Sequence, residues 1–305
     1  MKWFFLLLLV GSCAWPASGQ SAANTSPAAK PSYSFATTAA KGAAQLQVPF
    51  VLVNNLPVVQ ATVDGHTGNF ILDTGAEVTL LNQHYFAGGV PISPTGAGAT
   101  GTLTRTASYR AGSFVWQNLR LTDITLTTTD LTHLGAAPLL GLLGADLLSQ
   151  YAITLDYPHR LATLQTAAAP PLPPPLATLP FTRRGHLPVL AVTIAGQSYN
   201  VTLDSGASVN MLAESLLPAL KDELSNPFTT SLGGASAQQR AVTGGTLRLA
   251  TLTPRLLLRD MVTIFTTIGP LARSQPTPVV GILGYEFLRQ YRVTINYPKS
   301  IIEVR

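Results

Sequence analysis

Two aspartates in this chain are set in the same short text. Phe70-Ile71-Leu72-Asp73-Thr74-Gly75-Ala76 and Val201-Thr202-Leu203-Asp204-Ser205-Gly206-Ala207 each close a largely apolar run with Asp, a hydroxyl residue, Gly and Ala. Glycine at that place lets a tight loop take an unusual φ and lets backbone N–H groups approach the carboxylate. The hydroxyl of Thr74 or Ser205 is placed to tie one loop to the other. Two such loops packed across a pseudo-twofold axis would bring Asp73 and Asp204 within about 3 Å, where like charges resist double ionisation and one proton is shared. One carboxylate then takes a proton from water while the other gives one to a substrate oxygen, with neither metal nor covalent intermediate. Asp73 and Asp204 are therefore the candidate catalytic residues, and Thr74, Gly75, Ser205 and Gly206 their support.

The elements that must position the pair also come twice. A strand, a Gly-containing turn and a second strand precede each aspartate: Val58 to Val63, Asp64-Gly65-His66 and Gly68 to Leu72, then Val189 to Ile194, Ala195-Gly196-Gln197 and Tyr199 to Leu203. Each unit ends alike, Gly141-Leu142-Leu143-Gly144-Ala145-Asp146-Leu147-Leu148 matching Gly281-Ile282-Leu283-Gly284-Tyr285-Glu286-Phe287-Leu288. This reads as an internal duplication. The terminal segments predict a buried strand, a short helix begun by Gly144 or Gly284 with Asp146 or Glu286 in its first turn, and a closing hairpin turning at Tyr157-Pro158 or Tyr297-Pro298. Short helices are also expected near Asn82 to Phe86 and Ala213 to Leu224, and Gly- and Thr-rich hairpins fill the rest. The fold class is all-β with minor helix.

A chain of 305 residues exceeds what one core usually serves, so two units of roughly 120 to 130 residues are expected. The first spans 46–166 and the second 178–305, joined by a Pro-rich linker over 167–177 that fits an extended polyproline spacer. Only 11% of residues are charged, and the net charge of +5 comes from scattered Arg and Lys without a basic stripe, which argues against nucleic acid as a partner. Lys2 followed by the apolar run Trp3 to Val10 is the layout of a signal peptide over 1–19, too short to span a membrane. The protein is therefore expected to be exported, secreted or periplasmic. Two cuts stay open: after the small residues Ala17-Ser18-Gly19, or at Val10-Gly11-Ser12-Cys13, which has the form of a lipobox and would make Cys13 a lipid anchor on the cell envelope. Residues 20–45, mainly Ala, Ser, Thr and Pro, read as a flexible linker. Cys13 is the only cysteine, so no intrachain disulfide is available.

Taken together, Leu72-Asp73-Thr74-Gly75-Ala76 with Leu142-Leu143-Gly144, and Leu203-Asp204-Ser205-Gly206-Ala207 with Ile282-Leu283-Gly284, resemble the retropepsin-like aspartic proteases in their bacterial style. Two copies stand in one polypeptide, as in the pepsin-type enzymes. The resemblance implies two homologous β-barrel lobes related by a pseudo-twofold axis, the acid protease fold. It implies an aspartic endopeptidase acting on polypeptide as a monomer, with no cofactor. By position, the flap hairpins of that family fall at Thr95 to Ser108 and Ser231 to Val242. The pepsin-type cysteines and a flap Tyr-Gly pair are missing. The alternative is a catalytically inactive peptide-binding or envelope-associated module that keeps the fold.

Other motifs lead nowhere. Gly96-Ala97-Gly98-Ala99-Thr100-Gly101 has dinucleotide-fingerprint spacing, but the residues after it are patterned as a strand. His66, His84, His133, His159 and His186 are isolated and read as surface or turn residues, with no metal-ligand spacing. Tyr151, Tyr157, Tyr291 and Tyr297 recur with the repeat and read as core and turn packing.

Overall fold

The computed structural model describes residues 2–5, 9–10, 44–92, 96–98, 101–103, 105–134, 138–234, 239–254, 256–268 and 278–305. Alternating apolar residues build the hairpin Leu56–Val63/His66–Leu72 and its counterpart Leu187–Ile194/Gln197–Leu203. Both turn on two successive residues of positive φ, Asp64 (47°) and Gly65 (82°) in one and Ala195 (49°) and Gly196 (76°) in the other. Turns of that hand match the twist of the strands they join. Asp64 also accepts the Ser113 N–H at 2.8 Å and the Tyr109 hydroxyl at 2.9 Å, which fastens its turn to the neighbouring strand Ala107–Trp116.

In the first lobe the strand order is Val51–Val53, Leu56–Val63, His66–Leu72, Leu139–Leu143, Leu80–Asn82, Leu119–Thr129, Ala107–Trp116 and Val90–Pro91. The sheet closes on itself where Phe114 pairs with Val63. The second lobe repeats this order with Thr182–Arg184, Leu187–Ile194, Gln197–Leu203, Val279–Leu283, Asn210–Ala213, Leu256–Thr266, Gln239–Thr253 and Leu224–Gly234, and closes where Thr193 pairs with Thr251. Phe70, Phe114 and Trp116 fill the first barrel, the two phenyl rings meeting edge to face at 6.3 Å. Each such side chain contributes about 1.5–3 kcal/mol by burial.

A third sheet was not foreseen. The two terminal hairpins, expected to close their own lobes, instead pair with each other: Ala152–Asp156 lies antiparallel to Arg292–Asn296. The full order is Ala177–Pro180, Ile301–Val304, Arg292–Asn296, Ala152–Asp156, Leu161–Gln165 and Gln45–Pro49. Ile153, Leu155, Val293 and Ile295 are fully buried, and so are Thr154 and Thr294, whose hydroxyls meet at 2.8 Å. Strands buried on both faces cannot be left as hairpin edges, so they pair. One apolar core runs through both lobes as a result.

One local expectation changes. Residues 82–86 form a single turn, with Phe86 N–H donating to the Asn82 carbonyl, because Asn82 is already committed as a strand end and Gly88-Gly89 follow closely. The corresponding segment of the second lobe does carry short helical turns, from Glu214–Leu216 to Lys221–Glu223. Asp146 and Glu286 open the short helices Ala145–Leu148 and Tyr285–Leu288 as expected, but they hold different partners. Asp146 accepts the Thr79 N–H and hydroxyl, at 2.9 and 2.7 Å, whereas Glu286 pairs with Arg289 at 2.9 Å.

The linker follows the C-terminus, Leu176 N–H donating to the Val304 carbonyl and Arg305 Nε to that of Pro173. Near the start of the chain, Lys2–Phe5 runs parallel to Ser231–Gly234, and Leu9–Val10 antiparallel to Gly96–Ala97. Cys13, both cleavage positions and almost all of the 20–45 linker lie outside the described residues. No helix among the described residues is long and apolar enough to cross a membrane.

Candidate active site

Each aspartate sits where a strand ends against a buried neighbour. Leu139–Leu143 lies between the strand that enters the Asp73 loop and the one that leaves it, parallel to His66–Leu72 and antiparallel to Leu80–Asn82. Its sequence, Leu-Leu-Gly-Leu-Leu, is buried throughout, as a strand covered on both faces requires. Val279–Leu283 does the same for Asp204. The Asp73 N–H donates to the Leu143 carbonyl and the Asp204 N–H to that of Leu283, both at 3.0 Å. The apolar-apolar-Gly elements are therefore what fix the aspartate backbones.

Within the loops the carboxylates fold back on their own chain. Asp73 Oδ1 accepts the N–H groups of Gly75 and Ala76, each at 2.9 Å, and Asp204 Oδ1 accepts that of Gly206 at 2.7 Å. Such local bonds are the ordinary use of Asp in a tight turn. The loops then clasp one another. Ser205 N–H donates to Thr74 Oγ1 at 2.9 Å, and Thr74 N–H to Ser205 Oγ at 3.0 Å. The Ser205 hydroxyl itself donates to the Leu72 carbonyl at 2.7 Å. Thr74 and Ser205 are fully buried.

The glycines are required by close approach. A Cβ on Gly75 would collide with the Asp204 carboxyl group, and one on Gly206 with that of Asp73. Each loop thus presents bare backbone to the opposite carboxylate. The two carboxyl groups are neighbours, close enough to shift each other's titration. Asp73 Oδ2 and Asp204 Oδ2 accept from no N–H or hydroxyl among the described residues.

Burial pushes the Asp73 carboxyl well above the usual carboxylate range, and the neighbouring Asp204 charge pushes the same way, against the N–H groups of Ala76 and Gly75. Burial likewise raises Asp204, to about 6, against the N–H of Gly206. Two carboxyls this close titrate as a pair, so the steps belong to the dyad and not to one residue.

All six residues singled out from the sequence meet at this one place. Three others were missed. His186, expected at the surface or in a turn, does occupy a turn but is 8% exposed, and its Nε2–H donates to the Gly75 carbonyl at 2.8 Å. Tyr157 and Tyr297, read as packing, are buried as expected, but their hydroxyls have no partner among the described residues. Burial raises both phenols, and the charge of Asp204 adds to it. The regular recurrence of Tyr-Pro in the repeat was the available clue to them. His159 pairs with Asp156 at 2.8 Å, but no group of three or more His, Asp or Glu among the described residues is placed to hold a metal ion.

The flap candidates are hairpins. Gly96–Gly98 pairs with Gly101–Thr102, so the described residues of the dinucleotide spacing lie on paired strands and not at a helix. In the second lobe Leu224–Gly234 pairs with Gln239–Thr253, a much longer arm, and His133 of the first lobe meets the Gly234 carbonyl at 2.7 Å. The outermost residues of both hairpins lie outside the described ones.

Comparison with known proteins follows this geometry. Residues 59–150 match a family model described as "gag-polyprotein putative aspartyl protease". Among solved structures, the chain is similar to an aspartic proteinase from Irpex lacteus, with a TM-score of 0.58 and 12% identity, over 86% of this chain and 97% of that one. No curated protein matches by sequence. The chain folds as two β-barrel lobes in one polypeptide, the acid protease fold, and residues 59–150 within the first lobe match the aspartyl protease family model.

Proposed function

We propose that the protein is an exported aspartic endopeptidase that hydrolyses peptide bonds with water activated between Asp73 and Asp204. The observation that carries this reading is the clasped pair of loops, in which two buried carboxyl groups share a site and each is backed by the other loop's glycine. A buried pair of raised carboxyls retains one proton under mildly acidic conditions. The ionised member takes a proton from water as the water oxygen attacks the carbonyl carbon, and the protonated member gives its proton to the carbonyl oxygen. The tetrahedral adduct then collapses with proton transfer to the amide nitrogen, the C–N bond breaks, and the dyad recovers its single proton. Thr74 and Ser205 brace the loops against drift during these transfers. A single chain carries both halves, so it acts as a monomer.

The test is hydrolysis of an unfolded polypeptide by the purified protein across roughly pH 3 to 7, with a statine-type analogue of the tetrahedral adduct titrated in. Cleavage abolished by one analogue per chain supports the reading. Absence of both cleavage and analogue binding turns it to a peptide-binding module that keeps the fold.

A further inference from the structure

His186 belongs to neither the dyad nor the loop clasp, yet it reaches the dyad's first loop from the other lobe. It lies in the turn between Thr182–Arg184 and Leu187–Ile194, just after Gly185, whose φ of 61° swings the chain toward the opposite lobe. Its Nε2–H ends at the Gly75 carbonyl. That carbonyl sits between the two N–H groups, of Gly75 and Ala76, that hold Asp73 Oδ1. Turning the Gly75–Ala76 peptide would move the Ala76 N–H off the carboxylate, so whatever fixes the carbonyl fixes the donor.

The matching turn of the first lobe carries Asn55, whose Nδ2 reaches the Ser208 carbonyl of the second lobe at 3.3 Å. The two contacts are alike in direction but not in strength. Asn55 is half-buried and its bond is long and lands beyond the Asp204 loop's carboxylate donor; His186 is buried and its bond is short.

From this placement we infer that His186 is a positioning residue for Asp73: from the second lobe it fixes the Gly75–Ala76 peptide of the first, and so sets the geometry of one half of the dyad. Its neutral imidazole suits the place. Burial pushes the ring down to about 4, the nearby Arg183 adds to this, and a neutral ring with Nε2 protonated donates without carrying charge into the interior.

The inference rests on the endopeptidase reading for its catalytic consequence but not for its geometry, and the test separates the two. In the full-length protein, His186→Ala is compared with His186→Gln, whose side-chain amide has similar reach and cannot be protonated. Two readouts are taken: kcat and KM on an unfolded polypeptide, and amide hydrogen exchange of the 74–77 loop against the rest of the chain. The expected result is a fall in kcat of about tenfold or more for Ala with KM within about twofold. Exchange should be faster at the 74–77 loop alone, and both effects should be largely reversed by Gln. Unchanged kcat and unchanged loop exchange in His186→Ala overturn the inference. Faster exchange spread through the second lobe, not rescued by Gln, also overturns it, because His186 would then only fill space. If the wild type cleaves nothing while loop exchange responds as expected, the positioning role stands and the endopeptidase reading falls.

Discussion

A methyl group on Gly75 would enter the space of the Asp204 carboxyl, and one on Gly206 that of Asp73. Neither carboxyl can retreat, since each is held by N–H groups of its own loop. Gly75→Ala is therefore expected to lower kcat by about a hundredfold or more, through displacement of the dyad, and to cost about 1–3 kcal/mol in a urea melt. Ser205→Ala removes the acceptor for the Thr74 N–H and the donor to the Leu72 carbonyl, both buried. A loss of about 2–4 kcal/mol is expected, while Ser205→Thr should stay close to wild type, because Thr74 already fills the same role opposite. The aspartates and glycines could be read from the sequence because each carboxylate bonds its own loop within three residues, and Thr74 and Ser205 because they recur at the same place in the repeated motif. His186 could not, because its partner is 111 residues away and the matching position holds Asn55.

The strand and helix that follow each flap region act as a unit with the aspartate loop. Thr79 Oγ1 accepts the Gly144 N–H at 3.1 Å and donates to the half-buried Asp146, joining the strand leaving the loop to the helix. Thr79→Val keeps the shape and removes both bonds; it is expected to destabilise by about 2 kcal/mol, measured by chemical denaturation, as the buried Gly144 N–H loses its acceptor and Asp146 a donor. In the second lobe Asn210 takes over this duty, its Oδ1 accepting the Gly284 N–H at 2.8 Å, and Glu286 turns instead to Arg289. The buried strand and short helix were legible because Leu-Leu-Gly and Ile-Leu-Gly each combine a fully apolar run with a helix-starting glycine. The inter-lobe sheet was not. Alternation in Ile153-Thr154-Leu155 and Val293-Thr294-Ile295 announces strands and hairpins, but nothing local names a partner 140 residues away.

Across the whole molecule the buried titratable groups pull stability in opposite directions with pH. The dyad carboxyls are raised in the folded protein, so folding binds protons there, and stability rises as pH falls from neutral through the folded values toward about 4. His186 is lowered to about 4 from an ordinary value of 6.5, so the unfolded chain binds that proton more readily, and its contribution is lost as pH falls from 6.5 toward 4. Arg183, on the strand that leads into its turn, is the charge that acts on it. Thermal melts should then diverge by variant. Relative to wild type, Asp204→Asn should gain more at about pH 7.5 than at about pH 4.5, and His186→Gln the reverse. Equal shifts at both values would contradict the assignment. The central claim, that both lobes supply one shared-proton dyad, is tested most directly by the cleavage rate of Asp73→Asn and Asp204→Asn beside wild type at about pH 5. Loss of at least about a thousandfold in kcat in each variant, with the fold intact, is the expected result; cleavage at the wild-type rate by either variant would contradict it.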